Sequence, residues 1–469
     1  MEIISERGKK KLDHAGYIYV FDKMSRDMKL KFWRCERRTG CKGRLHEILT
    51  SGELSEVGVH NHDPNPGFVA GQKVITSAKK RALETMEPAC TILSQVTQTL
   101  PEATQGCLPR IETLKRSIRR RRQVTDLAVP QTPASLAQLV IPSQYQLYSS
   151  SPGVTEQFLL YDSELSTCRI LIFGRRSVLN RLSTSRYWFG DGTFSITPPL
   201  FYQVYVLLFE AAGGVHPALY ALLPNKQTET YVKLFTAVKN LVPQAEPEYF
   251  STDYELAVIN AFLATFPQTE IAGCLFHLMQ NIKKKVANCG LLTAFKNEPE
   301  ITLQVRMVGA LAFVPPDYVS AAFEQLQETL DARLDPLVEY FEDNYIGRLS
   351  RRGRKIPPFP ISWWNVYDRT LEGAHRSNNY SEAAHRRLHY EMNVTHPSIW
   401  KFISALCRIQ KGRDIYFDEL NRGDGPPRKR TKYMRLDERL LNKVSSFDDT
   451  TPHIHLDYLR GVAFNLMSD

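Results

Sequence analysis

The stretch WFGDGTF, residues 188–194, ends an apolar segment with an acidic residue, Asp191, that has glycine on both sides. A second junction of this kind lies at residues 249–255, YFSTDYE, where Asp253 separates an apolar segment from a helical pattern. Residues at the carboxyl ends of strands are the positions that α/β sheets commonly use for function. These two stretches therefore predict an α/β core whose function depends on acidic side chains.

The same α/β pattern extends from residue 156 to about residue 290, with short apolar segments followed by helical ones. The β character is lost over residues 300–350, where the apolar spacing is helical, and a helical pattern resumes from about Ser377 to Leu420. The predicted strands include Phe158–Tyr161, Arg169–Phe173, Tyr187–Phe189, Phe201–Ala211, Leu219–Leu223 and Ile271–Cys274. The predicted helices include Thr228–Leu241, Glu255–Phe266, His277–Asn288, Val319–Leu334 and Leu337–Tyr345.

A third acidic residue, Glu382, lies near the start of the last helical segment. Three carboxylates can hold two Mg²⁺ or Mn²⁺ ions about 4 Å apart, which activate a water or a 3′-hydroxyl and stabilise the leaving oxygen of a phosphodiester. Taken singly, each acid is more commonly a helix cap or a surface charge. Residue types and spacing alone leave both interpretations of Asp191, Asp253 and Glu382 open.

The positive charge of the chain is concentrated at one end. The 469 residues carry 60 Lys and Arg against 50 Asp and Glu, a net charge of +10. Residues 1–123 hold 24 basic and 14 acidic residues, whereas residues 124–469 hold 36 of each. This asymmetry is typical of a nucleic-acid-binding module joined to a neutral globular body. The composition excludes wholesale disorder, and we expect no membrane anchor and no secretory signal.

Two cysteines and two histidines have the spacing of a zinc site. Cys35, Cys41, His60 and His62 form a C-x5-C-x18-H-x-H pattern. Two thiolates and two imidazoles satisfy the tetrahedral coordination that zinc prefers, and a segment this small needs a metal to stabilise its fold. The alternative is two buried thiols and two surface histidines that happen to lie close. The aromatic and basic residues around the first cysteine favour zinc.

The zinc-site segment resembles the FLYWCH-type zinc finger family over roughly residues 5–65. The resemblance rests on Tyr19 and on residues 32–35 (FWRC), 41–45 (CKGRL) and 60–62 (HNH). Members of that family bind DNA or mediate protein contacts, and the positive charge here favours DNA, because phosphate neutralisation supplies the sequence-independent part of binding. The basic side chains expected to contact DNA are Arg34, Arg37, Arg38, Lys42 and Arg44, together with the later run Arg119, Arg120, Arg121 and Arg122.

Residues from about 156 to 415 resemble the Mutator-like element (MULE) transposases, in the branch that carries a FLYWCH finger. The resemblance implies an RNase H-like catalytic core with a DDE triad, in which Asp191 is the first acid, Asp253 the second and Glu382 the third. It also implies Mg²⁺ or Mn²⁺ as the core's cofactor and an all-helical insertion before the final catalytic helix. The motifs that carry it are residues 158–162 (FLLYD), 188–194 (WFGDGTF), 198–203 (PPLFYQ), 220–226 (YALLPNK), 273–277 (GCLFH), 364–368 (WNVYD) and 377–382 (SNNYSE).

Three further residues accompany the acids. Cys274 and His277 match the C-x-x-H motif that the MULE family has after its second acid. Two ligands do not complete a zinc site, so an active-site or DNA-positioning role is favoured over metal binding, with packing in the core as the other interpretation. His385 shares a helix face with Glu382 and lies either in the same site or on a solvated polar face.

These patterns predict a multidomain chain: a small β-rich zinc finger and an α/β RNase H-like catalytic core with an all-helical insertion. The basic runs at Arg119–Arg122 and Arg428–Lys432 fit nuclear import or contact with the DNA backbone, with solvated charge as the alternative. The segments are a FLYWCH-type zinc finger (1–66), a basic helical segment (67–123), a linker (124–155), the first part of the core (156–290), the helical insertion (291–365), the final catalytic helix region (366–420) and a basic carboxyl-terminal tail (421–469).

The predicted function is that of a DDE-type DNA transposase, which binds the terminal inverted repeats of its element and performs metal-dependent strand cleavage and strand transfer. The expected partners are double-stranded DNA, at terminal repeats and target site, and further copies of the chain assembled on DNA. The expected cofactors are Zn²⁺ in the finger and Mg²⁺ or Mn²⁺ in the core, and the expected location is the nucleus. The alternatives are a domesticated, catalytically inactive DNA-binding regulator and a protein-interaction finger on an inert scaffold.

Overall fold

The structure, a computed structural model, describes residues 3–4, 9–37, 40–85, 87–123, 130, 133–164, 168–428, 430–448 and 454–466. The chain divides into two units, Met1–Gln131 and Thr132–Asp469. Unit 1 contains the Cys/His segment and the basic helical segment, and unit 2 contains the α/β and helical patterns. The prediction of a multidomain chain with a β-rich amino-terminal region and a helical carboxyl-terminal region is confirmed.

Unit 1 begins with a six-stranded sheet in which each strand pairs antiparallel with the next along the chain. The turn between the second and third strands uses Ala15 and Gly16, both with positive φ, as a tight hairpin requires. Among the described residues of this sheet, the buried hydrophobic cluster around Trp33 consists of Tyr19, Trp33 and Leu45, which is a very small core. The strands are β1 (Ile3–Ile4), β2 (Lys10–His14), β3 (Tyr17–Met24), β4 (Leu30–Cys35), β5 (Arg44–Ile48) and β6 (Leu54–Val57).

Four helices complete unit 1: α1 (Pro66–Glu84), α2 (Ala89–Thr97), α3 (Glu102–Gln105) and α4 (Ile111–Gln123). The first begins after Asn65, whose side chain accepts the backbone N–H of Phe68 at 2.8 Å, as a helix N-cap does. Helix α4 buries Leu114 and Ile118, which are four residues apart, against α1 and α2 and leaves its basic side exposed.

The start of unit 2 differs from the linker expected over residues 124–155. Leu139, Ile141, Tyr145 and Tyr148 are buried in one hydrophobic core with the later sheet and helices. Buried Arg169 donates hydrogen bonds to the carbonyls of Leu136 and Leu139, which fixes this segment. The scarcity of charge that suggested a linker reflects burial here. A small hairpin follows, made of β7 (Leu147–Ser151) and β8 (Val154–Gln157).

A seven-stranded sheet forms the centre of unit 2. Its strands are β9 (Leu159–Asp162), β10 (Leu171–Phe173), β11 (Tyr187–Thr193), β12 (Gln203–Ala211), β13 (Gly214–Leu223), β14 (Tyr249–Thr252) and β15 (Glu270–Gly273). Their spatial order is β15-β14-β11-β12-β13-β10-β9. Strand β11 pairs antiparallel with β12 but parallel with β14, and β14 pairs parallel with β15. The carboxyl ends of β11, β14 and β15 therefore meet at one edge of the sheet.

Helices cover both faces of this sheet, so its strands are apolar on both sides. Trp188 of β11 lies in the core formed with α6 (Thr228–Leu241) and α7 (Leu256–Thr265). The next residue, Phe189, lies in the opposite core, formed with α15 (Asn379–Met392) and α16 (Ile399–Asn421). Short helix α5 (Arg176–Leu179) follows β10.

The remaining helices of unit 2 share a separate core of their own. They are α8 (Leu275–Asn288), α9 (Leu292–Asn297), α10 (Pro299–Ala310), α11 (Val319–Gln327), α12 (Asp335–Phe341), α13 (Ile361–Trp364), α14 (Tyr367–Leu371), α17 (Thr431–Ser445) and α18 (Ile454–Leu466), with a two-stranded piece formed by β16 (Leu349–Ser350) and β17 (Gly353–Arg354).

The segment 421–469, expected to be a basic tail, contributes directly to this helical core. Leu440 and Val444 of α17 and Leu459 of α18 are buried in it, and the Tyr458 hydroxyl donates to the Phe313 carbonyl. The basic cluster at residues 428–432 directly precedes and begins α17, which obscured the apolar spacing that follows. Within the parts of the chain that the structure describes, every helix is too short or too polar to cross a lipid bilayer.

Candidate zinc centre and candidate active site

The predicted zinc ligands converge in unit 1. Cys35 ends β4, Cys41 lies in the loop before β5, and His60 and His62 follow β6. One ligand atom from each lies within 4.8 Å of all the others. The sulfur of Cys35 is 3.3 Å from Nε2 of His62, and the sulfur of Cys41 is 3.3 Å from Nδ1 of His60. The donor set and its spacing fit one tetrahedral zinc ion.

Neighbouring groups hold the outer nitrogen of each imidazole and so orient the other nitrogen toward the cluster. Nε2 of His60 lies 2.8 Å from the Tyr19 hydroxyl, which leaves Nδ1 for the centre of the cluster. Nδ1 of His62 lies 3.2 Å from the Asp63 carbonyl, which leaves Nε2 for the same point. Hydrogen bonds of this kind orient metal-binding histidines. Tyr17 stacks on His60 with ring centroids 3.7 Å apart.

The loop around Cys41 is built for close approach and for a thiolate. A Cβ at Gly43 would lie 2.4 Å from the His60 ring, so only glycine fits there. Burial opposes ionisation of Cys41, yet the backbone N–H groups of Gly43 and Asn61 bring the pKa of this thiol below its usual value. The thiolate is the form that binds metal.

The basic residues expected to contact DNA differ in their surroundings. Arg37 and Lys42 are exposed near the zinc ligands, whereas Arg34 is half-buried and pairs with Asp22 at 3.8 Å. The guanidinium of Arg44 donates to the carbonyls of Cys41 and Gly43, so this side chain supports the ligand loop. Arg38 lies outside the described residues.

The predicted arginine run lies on α4. Arg119 and Arg120 are exposed and Arg121 is half-buried, while the side chain of Arg122 lies outside the described part of the chain. Arg116 is also exposed one turn earlier, which adds a residue that the sequence analysis did not include. These side chains give α4 a basic face opposite its buried one.

The three predicted catalytic acids lie at one edge of the sheet of unit 2. Asp191 is in β11, and Asp253 directly follows β14. These two strands are parallel neighbours, and Phe189 of β11 pairs with Ser251 of β14. Asp191 and Asp253 each follow one of these paired residues by two positions, so they lie at the same level of the sheet. Glu382 is in the first turn of α15, which packs against β11.

Asp191 is strongly perturbed by its position. Burial, followed by the negative charges of Asp253 and Glu382, raises its pKa to about 7, although the Gly192 N–H donates to its Oδ1 at 2.7 Å. Burial likewise raises the pKa of Asp253, against the opposing charge of Lys226. A shared, buried group of carboxylates is the arrangement that divalent ions neutralise.

The carboxylate oxygens of the three acids do not lie close enough together to bind one shared ion. Among the described residues, the Cys/His cluster is the one group of three or more ligands close enough for that. Asp191, Asp253 and Glu382 offer carboxylate oxygens as ligands. Oxygen donors of this kind suit Mg²⁺ or Mn²⁺ better than zinc.

The residues predicted to support the acids lie close by. The sulfur of Cys274 is buried and accepts the backbone N–H of Asn378 at 3.1 Å. Nδ1 of His385 lies 3.6 Å from Oδ2 of Asp191, and burial lowers the pKa of His385 to about 4, so it is neutral. Nδ1 of His277 and Nε2 of His385 are buried without a hydrogen-bond partner among the described residues.

Asn378 has a role that the sequence analysis missed. Its side-chain amide donates to the Gly190 carbonyl at 3.2 Å, and its side-chain oxygen accepts the Ser381 hydroxyl at 2.6 Å. It thereby joins the helix that carries Glu382 to the strand that carries Asp191. The small polar residues before Glu382 were visible in the sequence, but nothing local indicated a partner 188 residues away.

Comparison with known proteins confirms both resemblances. The FLYWCH zinc finger domain matches residues 2–62, and the MULE transposase domain matches residues 187–281. At its amino-terminal end the chain is similar to three Caenorhabditis elegans proteins. It is 43% identical to FLYWCH transcription factor 3 over 53 residues, 38% to FLYWCH transcription factor 1 over 60 residues and 40% to FLYWCH transcription factor 2 over 57 residues. These matches cover 11–13% of this chain and 12–13% of those relatives, so the chain spans about an eighth of the length of the curated relatives it matches.

Proposed function

We propose that the chain is a DDE-type DNA transposase in which unit 1 binds double-stranded DNA and unit 2 cleaves and joins its strands. The observation that carries the proposal is the placement of the acids. Asp191 and Asp253 end neighbouring parallel strands, and Glu382 lies on the helix packed against the first of them. The match of the MULE transposase domain to residues 187–281 includes the first two acids.

The sheet supports an RNase H-like core. Numbered from β11, its five main strands have the order 5-4-1-2-3, with the second strand antiparallel to the first and the fourth and fifth parallel to it. The helices between β15 and α15, together with the two carboxyl-terminal helices, form a separate core that fits the proposed helical insertion.

In the proposed mechanism the protein arranges the acids before DNA arrives. Asp191, Asp253 and Glu382 would hold Mg²⁺ or Mn²⁺, and the bound ions would activate a water or a 3′-hydroxyl and stabilise the leaving oxygen. The Gly192 N–H holds one oxygen of Asp191, and the buried Asn378 side chain holds the helix of Glu382 against β11. Burial of Asp191 and Asp253 makes their negative charges costly without a cation.

The proposed DNA contacts lie on unit 1. Exposed Arg37 and Lys42 adjoin the zinc ligands, and exposed Arg116, Arg119 and Arg120 lie on α4. Each phosphate that such a residue neutralises releases counterions, so binding should weaken steeply with salt. In this proposal the zinc ion of the finger is structural, and the DNA that is bound comprises the terminal inverted repeats and the target site. The active assembly on DNA is a homo-oligomer, and the protein acts in the nucleus.

A strand-nicking assay tests the function. The full chain is incubated with Mg²⁺ or Mn²⁺ and a duplex that carries the repeat flanking its coding sequence. We expect nicks that Asp191→Asn, Asp253→Asn and Glu382→Gln abolish while DNA binding is retained, because each change removes a charged ligand and keeps the side-chain volume. Asp317→Asn, which changes an exposed acid in the helical part, serves as the matched control and should cleave normally.

The outcome also separates the transposase from the regulator. Specific DNA binding without nicking in either metal would refute the enzyme and support a DNA-binding regulator. Weak binding with little salt dependence would refute both and indicate a finger that contacts proteins.

A further inference from the structure

The loop between β11 and β12, residues 194–202, exposes two aromatic side chains beside the acidic residues. Phe194 is 41% exposed and Tyr202 is 53% exposed. Their ring centroids are 5.4 Å apart with an interplanar angle of 66°. Phe194 follows Asp191 by only three residues. Two large rings left open at the edge of a site indicate a contact surface.

The backbone beneath these rings is fixed. Ile196 and Thr197 between them are buried, and the Thr197 hydroxyl donates to the Thr193 carbonyl at 3.1 Å. The backbone N–H of Tyr202 donates to the Leu223 carbonyl at 2.8 Å, and the N–H of His396 donates to the Ser195 carbonyl at 2.9 Å. The two rings are therefore presented by a preformed loop.

A lysine connects the aromatic pair to the acids. Nζ of Lys226 lies 4.5 Å from the centroid of the Phe194 ring and 3.3 Å from Oε2 of Glu255. Glu255, with which Lys226 pairs, follows Asp253 by only two residues. One ammonium group thus lies within range of the rings and of the acidic site.

We propose that Phe194 and Tyr202 form a stacking platform for an unpaired DNA base next to the bond that is cut, and that Lys226 contacts the adjoining phosphate. The proposal rests on the proposed function, because a phosphodiester at the acids brings the neighbouring nucleotide to this loop. Aromatic rings stack on any base, and a base reaches them only after leaving the duplex stack. An apolar peptide would cover the rings but would bring no phosphate to Lys226 and no phosphodiester to the acids.

Photochemical crosslinking tests the platform directly. The probe is a duplex with a short single-stranded flank that contains 5-iodouracil, mixed with the full chain carrying Asp191→Asn so that the DNA stays intact. We expect a crosslink at Phe194 or Tyr202, located by mass spectrometry. The double variant Phe194→Leu, Tyr202→Leu keeps apolar volume but removes stacking, so it should lose the crosslink and bind the flanked duplex about tenfold more weakly.

Matched variants distinguish stacking from a general loss of structure. Phe194→Tyr and Tyr202→Phe keep the rings and should keep the crosslink. Lys226→Gln should reduce the slope of log binding constant against log salt concentration by the amount that about one phosphate contact contributes, whereas Lys226→Arg should preserve that slope. Crosslinks confined to other residues, or a leucine double variant that binds as tightly as the parent, would overturn the platform even if the chain nicks DNA. Crosslinks at Phe194 or Tyr202 in a chain that never nicks would support base stacking at this loop but overturn the transposase and, with it, the placement of that base beside a bond that is cut.

Discussion

Replacing Asn378 with alanine should destabilise unit 2 and also impair its acidic site. The side chain is 1% exposed and makes two hydrogen bonds, one to the Gly190 carbonyl and one from the Ser381 hydroxyl. Alanine removes both hydrogen bonds from partners that are themselves buried. Each such group costs about 1–3 kcal/mol, so we expect a loss of about 2–4 kcal/mol in the free energy of unfolding.

The neighbouring residues supply graded controls. Ser381→Ala removes one donor and should cost about 1 kcal/mol. Asn379→Ala changes an exposed asparagine at the next position and should cost less than about 0.5 kcal/mol.

Urea unfolding followed by tryptophan fluorescence measures these differences. Four of the five tryptophans lie in unit 2, and the transition of unit 1 is recognised because a zinc chelator shifts it. A role in positioning Glu382 further predicts that Asn378→Ala raises the Mg²⁺ concentration needed for nicking at a temperature where the variant is folded. An Asn378→Ala chain that matches Asn379→Ala in both stability and Mg²⁺ requirement would show that the reasoning is mistaken.

Three further predictions concern other parts of the molecule. A zinc chelator should unfold the β-rich part of unit 1, measured by proteolysis, and Tyr19→Phe, which removes the hydroxyl beside His60, should weaken zinc binding about tenfold; unchanged protease resistance in excess chelator would contradict the zinc assignment. Deletion of residues 1–123 should remove most of the salt dependence of DNA binding, and an undiminished slope in the remaining fragment would place the DNA contacts elsewhere. Burial and the charge of Arg413 lower the pKa of His216 to about 4 from an unfolded value of 6.5. The folded protein therefore keeps this residue neutral. The stabilisation of the folded protein that results is fully present above about pH 6.5, and the free energy of unfolding falls by up to about 3 kcal/mol as the pH drops to about 4. In pH-dependent unfolding, the free energy of unfolding of His216→Gln should fall less over that interval.

The sequence alone predicted those parts of the structure that depend on residues close together along the chain. The helix Thr228–Leu241 has the bounds that its apolar spacing predicts, and β14 ends directly before Asp253 as the pattern at residues 249–255 indicates. The four zinc ligands come together because their chemistry and spacing leave few alternatives.

Features that depend on distant parts of the chain were not predictable in this way. Within residues 136–148, Leu139, Ile141, Tyr145 and Tyr148 are buried in one core with Trp400, although an uncharged stretch of this composition is also typical of a linker. Of the helices after residue 430, α17 packs against α14, and α18 packs against α10 and α11. The bond between Asn378 and Gly190 joins residues far apart in sequence, and a motif that reads SNN has many local explanations.

The order in which a ribosome releases this chain gives the helical core of unit 2 an unusual history. The strands of its large sheet have all been made by residue 273, but α18, whose Tyr458 donates to the carbonyl of Phe313, begins only at Ile454. Domains generally fold during synthesis as their parts emerge. The nascent chain must therefore carry an incomplete helical layer until α18 has been made, and a message cut short before residue 454 would leave that layer open.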